Sequence, residues 1–462
     1  MKNLRNVLKG RVVGPDDQEY DRLRTVFLGD VDRRPALIAR PANAADVARV
    51  IAFAREGGLP LAVRSGGHSS AGHSTTDGGV VLDVRDLKAL EIDATARTAW
   101  AGSGSSAGEY SAGVGAHGLA TGFGDTGSVG LGGLTLGGGV GYLTRKYGLT
   151  IDSVLAAEVV TAAGEILHTD ATSHPDLFWA IRGGGGNFGV VTQFQYRLHP
   201  VDRVVGGMLL LPASADIIPK IIDLAEGAPE ELTIIANVMP APPLPFVPAA
   251  AHGRLVVMML MCHAGDETAG VAAIAPFRSL ATPLADMVRP IAYPELFPPE
   301  DPSYRPKAIG RSLFMERVDR DAAEAIMEFL AKSDASLRVA QLRVLGGAVS
   351  RVPADATAYA HRSRRIMVNV ASFYEGPADR PGREDWVLRF AAALNQGDRS
   401  AYVNFVGDEG AARVRDAYPG GTWNRLRAVK ARYDPANVFR LNQNIAPAER
   451  PMARDASSVL HR

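Results

Sequence analysis

Residues 190–198 alternate side chains, with Val190, Thr192, Phe194, Tyr196 and Leu198 on one face and Val191, Gln193, Gln195 and Arg197 on the other. That period of two predicts a β-strand with one buried face. Near the start of the chain, Asn43 stands before apolar residues at helical spacing through residue 54, with Gly58 beyond them. This predicts a capped helix, and strands over 35–39, 59–63 and 79–84 around it give a βαβ opening. A second helix is predicted over 105–116, and strands over 153–161 and 165–168 flank an Ala163-Gly164 turn. Between 205 and 400, strand patterns at 206–211, 254–261, 340–345 and 365–373 interleave with helix patterns at 216–225, 321–333 and 384–393. The expectation is an antiparallel sheet with helices on one side. Five prolines between 240 and 248 mark a surface loop.

Composition narrows the function classes. The 462 residues carry 50 Lys+Arg against 50 Asp+Glu, without a long run of one sign, which excludes a general nucleic-acid or membrane-surface binder. One cysteine, Cys262, excludes a disulfide framework and multi-cysteine metal sites, so redox chemistry would need an organic cofactor. No apolar run reaches the ~20 residues of a membrane span and the first residues lack a secretory pattern, so a cytoplasmic protein is expected. Glycine concentrates between residues 66 and 189 and proline between 229 and 306, which divides the chain near residue 200.

The glycines form several distinct patterns. Gly184 to Gly189 matches G-x-G-x-x-G, but a strand pattern follows it where a dinucleotide site needs a helix. Gly102-Ser-Gly104-Ser-Ser-Ala107 has the strand-then-helix order and leaves a nicotinamide-cofactor reading open. The denser runs are 64–72, beginning Arg64-Ser65-Gly66-Gly67-His68-Ser69, and 126–141, from Thr126 through Gly132, Gly133, Thr135, Gly137, Gly138 and Gly139. Two such runs read either as a pair of structural turns or as backbone N–H nests holding a diphosphate from two sides. His68, with His73 five residues on, reads as a turn residue, a cofactor contact or half of a zinc pair lacking further ligands.

Taken in order, Arg64-Ser-Gly-Gly-His68, Gly132-Gly-Leu-Thr-Leu-Gly-Gly-Gly139, Arg145-Lys-Tyr-Gly-Leu149, the segment 176–191 and the segment 433–444 resemble the FAD-linked oxidases of the berberine bridge enzyme type, within the vanillyl-alcohol oxidase/PCMH flavoprotein superfamily. The resemblance covers nearly the whole chain. It implies an α+β protein: a two-subdomain PCMH-type FAD-binding domain over 1–200, a substrate domain over 201–400 whose antiparallel sheet covers the flavin, and a C-terminal segment, 401–462, returning to the FAD domain. It implies FAD bonded through its 8α carbon to His68. Many relatives add a cysteinyl bond, and Thr126 stands at that position here, so a single covalent link is expected.

The resemblance further implies that amides around Ser65–Ser69 and Thr135–Gly139 hold the pyrophosphate, that Gly189 and Val190 lie against the cofactor, and that Asn404 and Asn442 reach flavin polar edges. Relatives often carry Tyr-x-Asn-Tyr where this chain has Tyr402-Val-Asn404-Phe405. Tyr402 is therefore the candidate base or proton relay, with a packed core tyrosine as the alternative. A nearby cation is expected to make its phenol easier to ionise. Gln341 and Arg343 share one strand face and are candidate substrate contacts, or simply a solvated face. The expected partners are a small-molecule alcohol, sugar or amine and O2 as electron acceptor, giving H2O2. A non-catalytic flavin or nucleotide binder and a flavin dehydrogenase using another acceptor are the alternatives.

Overall fold

The computed structural model describes residues 2–449. Asn43 caps the helix Ala44–Glu56 by accepting from the Asp46 amide. That helix buries Val47, Val50, Ile51 and Ala54 at helical spacing. It crosses between strands of a four-stranded sheet in the order Arg11–Val13, Leu37–Arg40, Val80–Asp83, Leu61–Arg64. The last three strands are parallel. A five-stranded antiparallel sheet follows, ordered Leu90–Asp93, Thr98–Gly102, Val190–Arg197, Val154–Val160, Ile166–Asp170. Ser106 and Glu109 close a capping box on the helix Ala107–Gly115 beside it.

Residues 203–373 build the third sheet, which is antiparallel throughout. Its central strands are Arg203–Pro212, Leu255–His263, Leu232–Pro240, Arg338–Val344, Ile366–Phe373 and Ala308–Met315, in that spatial order. Ala236, Val238, Ala340, Leu342, Val368 and Val370 point to one face. There they pack with the helices Ile217–Gly227, Glu267–Arg278, Arg320–Lys332 and Arg380–Leu394 in one apolar core. The alternate positions place Asn237, Gln341 and Asn369 directly opposite one another on three neighbouring strands of the other face. Leu232–Pro240 is buried along its whole length and therefore carries no alternation, which is why the period-two criterion passes over it.

The C-terminal helix Gly421–Tyr433 packs Leu426, Val429 and Tyr433 into the core of the second sheet. Lys430 is fully buried, and its ammonium donates to Asp434, to the Asn187 carbonyl and to the Phe439 carbonyl at 2.6, 2.8 and 2.9 Å. A buried ion with all three protons placed is tolerated, whereas an unpaired one is not. Asn187 also donates to the Gln443 carbonyl, and its side-chain oxygen accepts from the Ile445 amide, so residues 434–445 lie across the glycine segment ending at Gly189.

A buried histidine, His361, and a half-buried one, His199, make the fold acid-sensitive. His199 stacks on Tyr147, and His361 lies 2.9 Å from the Ala417 carbonyl through Nε2; burial pushes each down to about 4. The native state then binds fewer protons than the unfolded chain between about pH 4 and 6.5, so stability rises with pH across that window and is lost as pH falls. The urea midpoint is expected to drop steeply from pH 6.5 to 4.5, and His361→Gln should flatten that slope. An unchanged slope in the variant would remove His361 from this account.

Candidate active site

The two glycine-rich segments touch. A Cβ on Gly66 would fall 2.3 Å from the Gly130 nitrogen, and one on Gly130 would fall 2.1 Å from the Gly66 nitrogen. Only glycine permits this crossing. It opens a cavity of about 610 Å³, within the range of roughly 300–1,000 Å³ usual for ligand sites. Ser65, Gly66, Gly67, His68 and Ser69 line it, as do Thr126, Gly132, Gly133, Gly189 and Val190. Gln341, Arg343 and Asn369 enter from the polar face of the third sheet, and Tyr402, Asn404 and Asn442 from the C-terminal segment.

Five of the residues expected to touch a cofactor stand elsewhere. Arg64 is buried, with its guanidinium turned to the Leu23 and Thr25 carbonyls and to Asp83, where it anchors the preceding turn. Residues 131–137 form a short helix, of which Gly132, Gly133, Leu134 and Leu136 line the cavity, whereas Thr135 and Gly137, and Gly138 and Gly139 beyond its end, do not. Thr135 Oγ1 lies 2.8 Å from the Tyr196 hydroxyl, Gly138 donates to the Thr135 carbonyl, and Gly139 donates to Tyr402. Amides committed in this way cannot also hold a phosphate. By contrast, among the described residues the Gly66, Gly67, His68 and Ser69 amides donate to no other part of the chain. The amides of 102–105 are spent on the Ala89, Thr192, Leu87 and Gly102 carbonyls, which removes the nicotinamide reading of that segment.

Tyr402 is 2% exposed, and its hydroxyl accepts from the Gly139 amide at 2.8 Å and from Asn404 Nδ2 at 2.9 Å. Burial nevertheless raises this phenol above its ordinary range, outweighing the two donors and nearby Arg343. The expected ease of ionisation is therefore reversed: at neutral pH the side chain is a phenol. Arg343 donates to Asp125 at 2.9 Å and to the Gln341 amide oxygen at 2.8 Å, and it lies over the Phe405 ring. Gln341 donates in turn to Asn237, so the two candidate substrate contacts form one fixed polar cluster. Ser103, Asn187 and Asn369 were not singled out as cofactor or substrate contacts from sequence, and all three line the cavity, as Asp125 does.

His68 stacks on Phe27 with ring centroids 4.1 Å apart, and its Nε2 lies 3.2 Å from Ser128 Oγ. Desolvation pushes its pKa down to about 4, so the ring is neutral at pH 7. Among the described residues no three His, Cys, Asp or Glu side chains gather as a metal site, and no helix is long and apolar enough to cross a membrane.

An α+β body with an antiparallel sheet over a glycine-walled cavity is the FAD-binding fold of the vanillyl-alcohol oxidase/PCMH flavoproteins. The family described as FAD binding domain matches residues 35–170, and the one described as Berberine and berberine like matches 401–446. The chain is 31% identical to (R)-6-hydroxynicotine oxidase of Paenarthrobacter nicotinovorans, over 95% of this chain and 97% of that protein. The structure of 6-hydroxy-D-nicotine oxidase from Arthrobacter nicotinovorans superposes with a TM-score of 0.83 over 96% of this chain and 98% of that one, at 31% identity. Xylooligosaccharide oxidase from Myceliophthora thermophila C1, in complex with xylobiose, gives 0.84 over 97% and 99%, at 25% identity. The chain belongs to the berberine bridge enzyme-like family of FAD-linked oxidoreductases.

The residues present fit FAD. Ser103 Oγ, Arg343 Nη1 and Asn442 Oδ1 are buried polar atoms without partners among the described residues, and all three belong to cavity-lining residues. Together with the free amides after Arg64 they supply donors and an acceptor that a polar cofactor satisfies.

Proposed function

We propose that this protein is an FAD-dependent oxidase carrying a single 8α-histidyl bond through His68, which oxidises a small-molecule alcohol, sugar or amine and returns the electrons to O2 as H2O2. When bound, FAD supplies a two-electron acceptor at N5 for a hydride from the substrate carbon. The observation that carries this reading is that one cavity joins His68 to the Tyr402 hydroxyl and to the Gln341–Arg343–Asp125 cluster. The Gly66–Ser69 amides hold the diphosphate, Asn442 and Asn404 contact the cofactor's polar edges, and the apolar strand end at Val190 packs against it.

Tyr402 works as a relay. Its oxygen accepts two N–H bonds that stabilise negative charge developing there, so its own O–H proton can pass on to cavity water as the oxygen takes the proton of a substrate O–H or N–H. Arg343 and Gln341, held by Asp125 and Asn237, orient the substrate from the sheet above. Thr126 at the position of the second link in relatives supports a cofactor bonded once. Two similar proteins, a hydroxynicotine oxidase and a xylooligosaccharide oxidase in complex with xylobiose, support the amine and sugar arms of this reading.

The test is a panel of small alcohols, sugars and cyclic amines given to the purified yellow protein. A substrate should bleach the flavin band anaerobically, and admitting air should restore it with one H2O2 per turnover. Bleaching without reoxidation by air would reassign the protein as a dehydrogenase.

A further inference from the structure

Ser128 and Glu300 come from distant parts of the chain, and Ser128 joins Glu300 to His68. The Ser128 hydroxyl donates to Glu300 Oε2 at 2.6 Å, and the Ser128 amide donates to Glu300 Oε1 at 3.0 Å. An ionised carboxylate only accepts, and a serine has one hydroxyl proton. With that proton committed to Glu300, Ser128 Oγ can only accept from His68 Nε2, 3.2 Å away. The ring is therefore the Nε2–H tautomer, and Nδ1 carries the lone pair. Nε2 to Ser128 Oγ is the ring's side-chain hydrogen bond among the described residues, the Ser128 backbone also acts on the ring, and stacking on Phe27 fixes the ring plane. The charged groups acting on the ring are Glu300 and Arg305, both from the segment after the third sheet's edge.

We propose that Glu300, acting through Ser128, is a positioning group that presents His68 Nδ1 to the flavin 8α carbon and accepts the ring's Nε2 proton as the bond forms. The inference rests on the covalent reading above. In the step, one C8α–H bond breaks and one Nδ1–C8α bond forms. The C8α proton leaves to solvent, and the Nε2 proton passes to Ser128 as the serine proton passes to Glu300. The electron pair of the broken C–H bond stays on the ring system and is taken by O2, which leaves as H2O2. A neutral imidazole is the nucleophilic form, and the buried setting keeps it neutral at pH 7.

Glu300→Gln separates this role from a structural one. The glutamine amide oxygen can still accept from the Ser128 hydroxyl, so one of the two contacts between the segments is kept, while the bond from the Ser128 amide and proton acceptance are lost. Glu300 is exposed, and its replacement leaves the core intact. Purified wild type, Glu300→Gln, Glu300→Asp and Ser128→Ala would be stripped of any loose flavin, mixed with FAD in air, and sampled for flavin retained after acid precipitation. Total flavin bound before precipitation should be equal in all four. Covalent incorporation at pH 7 should slow by about 10²-fold in Glu300→Gln and Ser128→Ala, recover as pH is raised in Glu300→Gln, and be largely restored in Glu300→Asp. NMR of the histidyl-flavin peptide should place the bond at Nδ1.

Wild-type incorporation rates in Glu300→Gln and Ser128→Ala, or a bond at Nε2, would overturn the proposal and leave the histidyl link standing. A wild-type pellet without flavin would overturn the link itself, and the proposal with it.

Discussion

Replacing Tyr402 with phenylalanine is expected to lower kcat by about 10²- to 10⁴-fold, the range spanned by general acid–base groups, while the protein remains yellow. The ring sits at the meeting of three structures. Its hydroxyl receives the Gly139 amide and Asn404 Nδ2, its edge packs on Phe405 with centroids 5.0 Å apart, and Tyr359 lies 6.0 Å away. Phenylalanine keeps those ring contacts and removes only the oxygen. The Gly139 amide is then buried without an acceptor, at a cost of about 1–3 kcal/mol to stability, so the urea midpoint should fall as well. Flavin content and the absorbance envelope separate the two effects: with both unchanged, the loss in kcat belongs to proton transfer. KM should move little, because substrate orientation is assigned to Arg343 and Gln341. Since burial holds the wild-type phenol above its ordinary range, no acidic limb of activity near pH 7 should be traceable to its ionisation. A variant with wild-type kcat would show that Tyr402 is a packing residue.

His68→Ala should abolish covalent flavin altogether. The acid-precipitated wild type is expected to be yellow, and the variant's pellet colourless with its flavin in the supernatant. No second attachment can rescue it, because Thr126 is not a thiol and Cys262 is fully buried in the third sheet. Loose FAD should still bind, since the Gly66–Ser69 amides, Asn442 and the crossing at Gly130 do not depend on the imidazole. Removing the ring also exposes one face of Phe27, so a modest fall in thermal stability should accompany the change. Flavin retained in the variant pellet would transfer the link to another nucleophile.

Local pattern was a good guide wherever an element's neighbours in sequence decide its form. Asn43 caps the helix it was expected to cap, and the strand after Gly189 alternates as its side chains dictate. The antiparallel third sheet with helices on one side was likewise legible, because its strands alternate between an apolar core face and a polar face. The same criterion missed Leu232–Pro240, buried on both faces, and read the helix of residues 131–137 as loop because glycine weakens helical propensity without forbidding a helix.

By itself the sequence determined the fold class, the ordered glycine and histidine motifs, and the family those motifs mark. It did not determine which backbone groups are free to meet a cofactor. Gly66–Ser69 and Thr135–Gly139 look alike as glycine-rich text. The Gly139 amide, however, is taken by a hydroxyl 263 residues further along the chain, and the Gly66 amide is left open beside Gly130. A hydrogen bond is a competition between partners, and those partners are brought together only by the packing of segments remote in sequence. For the same reason Arg64 faces the core while Ser65 lines the cavity, and Glu300 bonds Ser128, the neighbour of His68, across 172 residues.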